Sequence, residues 1–119
     1  MSVAQIAGLS AIEIVGDFGL KEFANKGGFV PFLFGIGGYV GVVLMLIVSL
    51  QGSSILMVNG AWDGISTVIE SLAAYIFLGE RFESGLQYLG LLLIIIGLFL
   101  LKIPWTKEKA FVWPKMWNN

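Results

Sequence analysis

Four long apolar runs, joined by polar stretches of only a few residues, leave this chain few choices of fold. They cover residues 3–20, 29–50, 55–78 and 86–103. Each approaches the ~20 residues with which an α-helix crosses roughly 30 Å of hydrocarbon. The joints are too short to hold a second domain. The expected fold is an all-α integral membrane protein, a four-helix transmembrane bundle over residues 1–103, with a separate tail at 104–119. Composition agrees: 13% of residues are charged, against about 25% in an average soluble domain. Sixteen glycines suit membrane helices, whose backbones approach closely through small residues.

The same composition narrows function. A net charge of −1 offers no basic surface for nucleic acid. The chain has neither Cys nor His, so disulfides and the usual zinc and copper ligand sets are excluded. The Ser/His/Asp and Cys/His arrangements of covalent catalysis are excluded with them. No enzyme activity, metal or cofactor is expected. The N-terminal run lacks a basic leader, and Glu13 and Asp17 interrupt it. It is expected to be a retained span and not a cleaved signal.

Charge inside the runs is the informative exception. Glu13 lies mid-way along the first. A carboxylate near the bilayer centre costs about 2.5–3.5 kcal/mol on insertion scales, so its default reading is a functional site facing a bundle interior or a water-filled cavity. Asp17 follows by one helical turn, on the same face. It is either a second acid in that cavity or a helix-end group reaching water or Lys21, again four residues on. The third run carries Asp63, expected in the cavity, and Glu70. Glu70 lies seven residues after Asp63, on nearly the same face, and either shares its polar stripe or pairs with a neighbouring chain. Trp62 is either packing or a ring face for a cation. Tyr39 has a hydroxyl that needs a partner when buried, which Glu13 would supply. Gly37-x-x-x-Gly41 and Gly60-x-x-x-Gly64 have the spacing of close contacts within a bundle. Gly90 and Gly97, one heptad apart, read as a seam between two copies.

The tail interleaves Trp105, Trp113 and Trp117 with Lys107, Lys109 and Lys115. Membrane surfaces select this pairing, so an interfacial anchor is expected. The competing reading is a docking segment for another protein chain. Four crossings would place the N-terminus, the second joint and the tail on one side, with Lys102 and the three tail lysines. Lys21, Lys26 and Arg81 fall on the other, a weak bias for orientation.

The ordered set of motifs resembles the small multidrug resistance transporters. Ile12-Glu13-Ile14-Val15-Gly16 with Leu20-Lys21 resembles the family's first helix, and Pro31 and Tyr39 match positions of its second. Ala61-Trp62-Asp63-Gly64 and Phe77-Leu78-Gly79-Glu80-Arg81 resemble its third. The glycine-spaced segment from Gly90 to Gly97 resembles the dimer contact of its fourth. The resemblance implies a four-helix protomer working as a homodimer in the lipid bilayer, with Glu13 binding either protons or a small organic cation. It places Tyr39 and Trp62 in the pocket, and Asn59 and Asp63 are expected at the same proton- and substrate-binding site. Asn59 stands where the family usually has a Tyr, Asp63 where it has a small polar residue, and Ser54 where a Pro is common. The expected function is exchange of protons for a small organic cation. The rival expectation is a non-transporting structural protein of the same fold in a larger membrane-containing assembly, such as the lipid layer of a virus-like particle. Asn59, Glu70 and the Trp-rich tail favour that rival.

Overall fold

The computed structural model describes residues 1–105 and 110–117, and those residues are all-helical or irregular. The four helices are α1 (Val3–Lys26), α2 (Phe29–Leu50), α3 (Ile55–Phe77) and α4 (Gly85–Leu101). Each start and stop has a local cause. Ser2 caps α1, its hydroxyl accepting from Gln5 N–H at 3.2 Å. Ser54 caps α3 through Met57 N–H at 3.1 Å. Ser84 and Gln87 form a reciprocal capping box on α4, satisfying N–H groups that have no partner within the helix. Gly27 and Gly28 turn the chain between α1 and α2 with φ of 73° and 106°, values that glycine adopts without steric cost. Pro31 falls in the first turn of α2, where its missing N–H costs nothing.

α1 continues six residues past the expected end of the first span. Lys21, Glu22, Ala24 and Lys26 are polar or small, but they are adequate helix formers, and nothing breaks the helix before Gly27. α4 stops at Leu101, two residues early, where Lys102 takes a left-handed conformation (φ 53°) ahead of Pro104. α1 and α2 are long and apolar enough to cross a membrane. α4 is apolar throughout but has 17 residues, the lower end of the ~17–25 range for a spanning helix. α3 has the length, but Asn59, Asp63 and Glu70 interrupt its apolar character.

The helices lie side by side in the order α2, α1, α3, α4. Among the described residues α4 packs on α3 and on no other helix. The molecule measures 51 × 39 × 18 Å, so it is less than two helix diameters (about 10–12 Å each) thick. Such a layer buries little. The buried apolar core is Met1, Ile6, Leu9, Val42, Val58 and Ala61, all toward one end. The N-terminus, the α2–α3 turn and the end of α4 meet there: the Met1 amino group donates to Ser53 Oγ at 2.8 Å and Val3 N–H to Pro104 O at 2.9 Å. The helices therefore alternate in direction, as the short joints imply.

α1 and α2 make the closest contact. A Cβ on Gly38 would stand 2.5 Å from the backbone of Gly16, and one on Gly19 would stand 2.8 Å from that of Gly35 and Pro31. Gly41 meets Ile12, whereas Gly37 faces open space. The contact thus runs through Gly16 and Gly19 against Gly35, Gly38 and Gly41, and the expected Gly37–Gly41 pair contributes only its second member. Gly60 and Gly64 receive Leu101 and Leu98 of α4, which is packing inside the bundle. Lys107 and Lys109 lie outside the described residues.

Candidate functional site

At mid-height, α1 and α3 present polar stripes to each other. On α1 the stripe is Glu13, Asp17 and Lys21; on α3 it is Trp62, Ser66 and Glu70, each spaced by four residues and so stacked along one face. The carboxylate oxygens of Glu13, Asp17 and Glu70 come within 4.8 Å of one another, and all three side chains are half-buried. Two neighbours fix the group. The Ser66 hydroxyl, itself buried, donates to Glu13 Oε1. The Tyr39 hydroxyl reaches across from α2 and donates to Asp17 Oδ1. Three helices thus build the site. Carboxylates this close repel one another when ionised, and either a proton or a cation between them relieves that repulsion. An all-oxygen set without nitrogen or sulfur donors suits a hard or weakly coordinating cation.

The structure sorts the residues singled out from sequence. Glu13 and Asp17 belong to the site. Tyr39 does too, but its partner is Asp17, because it lies one turn further along the α1–α2 contact than a bond to Glu13 requires. Trp62 packs against the core, and its Nε1 is buried with no hydrogen-bond partner among the described residues. Asp63 is exposed and acts on Glu13 only through space, and its carbonyl accepts from Thr67 Oγ1 at 2.6 Å. Asn59, one turn before it, is also exposed. Gly90 and Gly97 lie on an open face of α4, where an added Cβ would meet nothing within 4 Å. Sequence reasoning left Glu70 open between a cavity stripe shared with Asp63 and pairing with a neighbouring chain, and it missed Ser66. The four-residue spacing from Trp62 through Ser66 to Glu70 is the signal that marks them.

Beyond Asp17 and Glu70 the helices splay into a cleft of about 660 Å³ between α1, α3 and α4. Phe18, Tyr75, Phe82 and Tyr88 give it aromatic walls. Charged groups crowd its mouth. Lys21 Nζ pairs with Glu80 Oε2 of the α3–α4 joint. The Arg81 guanidinium lies 3.4 Å from the Tyr75 ring centroid and donates to the carbonyls of Tyr75 and Glu80 at 2.9 and 2.7 Å. No protein-family model matches the chain, and no curated protein or solved structure is significantly similar to it.

Proposed function

We propose that the chain is a multi-pass membrane protein that exchanges protons for a small organic cation, working as a homodimer of the small multidrug resistance type. The observation that carries this reading is the meeting of Glu13, Asp17 and Glu70 inside an otherwise apolar layer of helices. Carboxylates are rarely kept at such depth for packing. The surface of the layer supports a lipid setting: Phe29, Leu56, Phe77, Phe99 and Leu100 are all more than 70% exposed, an apolar area that water penalises and lipid or a second copy accepts. The resemblance in motif order around Glu13, Tyr39, Trp62 and Gly90 supports the family.

In this mechanism a cation enters along the aromatic cleft and reaches the carboxylates. Its positive charge replaces a proton, so binding one expels the other, and a rocking motion of the helices returns the site to the opposite side. The open face of α4, with Gly90 and Gly97, is where the second copy packs. The test is reconstitution of the full chain in liposomes carrying a pH gradient, with guanidinium and quaternary ammonium ions offered outside. Cation addition should dissipate the gradient with wild type and not with Glu13→Gln. Equal proton flux from both proteins would overturn the mechanism.

The structural rival has its own support. Trp105 and Trp117 are more than 75% exposed, as anchors awaiting a partner chain would be. Absence of any cation-dependent proton flux, together with retention of the protein in a membrane-containing assembly, would favour it.

A further inference from the structure

Lys21 and Glu80 are not required by the exchange mechanism, yet their pairing bears on it. Lys21 follows Asp17 by four residues on α1, the spacing and order at which an acid and a base on one helix meet. Asp17, Lys21 and Glu70 all line the cleft. An ammonium placed there has two carboxylates within reach of its flexible stem. It pairs with neither and goes to Glu80, while Asp17 accepts its hydrogen bond from Tyr39. The joint that carries Glu80 is pinned. Glu80 N–H donates to Ala74 O at 3.2 Å, and its carbonyl accepts from Arg81, which is held over Tyr75.

We propose that Glu80 is a positioning residue that holds Lys21 away from Asp17 and Glu70, and so keeps that carboxylate pair open to an external cation. The proposal rests on the cation-exchange reading and adds a built-in competitor to it. A tethered ammonium competes at an effective concentration in the millimolar range, far above a dilute ligand. The Lys21–Glu80 pair is itself half-exposed on both sides, and such pairs contribute little to stability. Its consequence lies in where Lys21 points.

The test measures binding of radiolabelled tetraethylammonium to the full-length protein in liposomes. Glu80→Gln should weaken the apparent affinity by about fivefold, the size expected from loss of one exposed ion pair. Lys21→Met alone should not weaken binding. The double variant Lys21→Met with Glu80→Gln should return to the wild-type range, because the competitor is gone. If Glu80 merely shaped the joint, the double variant would stay weak. Unchanged binding by Glu80→Gln, or no recovery in the double variant, would overturn the proposal. Failure of the wild type to bind at all would sink the cation-exchange reading itself, a distinguishable result.

Discussion

Whether a carboxylate belongs to the site is decided residue by residue, and the acids of α3 make the contrast. Glu70 meets Glu13 and Asp17, whereas Asp63 is exposed. Glu70→Gln should therefore lower cation affinity about tenfold, equivalent to about 1.4 kcal/mol. Asp63→Asn should leave it in the wild-type range. Equal effects in the same binding assay would place both acids in the site. A second contrast concerns glycines one residue apart. A side chain at Gly38 collides with the Gly16 backbone, while one at Gly37 meets nothing. Gly38→Ala should cost about 1–3 kcal/mol by forcing α1 and α2 apart. Gly37→Ala should be neutral or slightly stabilising, since Ala is the better helix former. Thermal unfolding in detergent, followed by circular dichroism, separates the two.

At the scale of elements, the tail is the segment whose role divides the two functional readings. It is tied to the bundle at two places. Pro104 O accepts from Val3 N–H, and the Gln51 side chain clasps the backbone of Val112, donating at 2.6 Å and accepting at 2.9 Å. Phe111 and Trp113 stack edge-to-face, with centroids 5.9 Å apart. A chain ending at Trp105 keeps the first tie and loses the second. If the tail is an interfacial anchor, this truncation should leave helix content and cation exchange intact, since among the described residues the core uses none beyond Ile103. Loss of incorporation into a larger assembly, with the bundle still folded, would identify the tail as a docking segment. Trp residues dominate such interfaces.

For the molecule as a whole, the 18 Å thickness matters most. A layer this thin leaves apolar side chains on both faces, and among the described residues α3 is the only helix that α4 packs against. The proposed dimer covers part of that surface. Gly90→Leu and Gly97→Leu should each weaken self-association in cross-linking within a bilayer, because bulk at a close helix seam separates the backbones. They should leave the protomer's own stability unchanged, since among the described residues an added Cβ at either glycine meets nothing within 4 Å. Unaltered cross-linking would assign this face of α4 to lipid.

The amino-acid sequence by itself determined the four helices, their joints and their alternation. Runs of apolar residues, serine caps and paired glycines act locally, and each operates within a few residues of itself. It also determined that Glu13 and Asp17 share a face, because a four-residue spacing on one helix needs no partner to be read. The facing of α3 toward α1 was decided only in three dimensions. Asp63 and Glu70 are seven residues apart and return to within about 20° of each other, so spacing alone puts both on one stripe. The line along which two helices touch follows their crossing angle, not either axis. Along that line Trp62, Ser66 and Glu70 take the contact, and Asp63 is left outside. The partner of Tyr39 and the diversion of Lys21 to Glu80 are of the same kind. Each depends on how far one helix slides along another, and that distance is set by the Gly16–Gly38 contact and by the path of the α3–α4 joint.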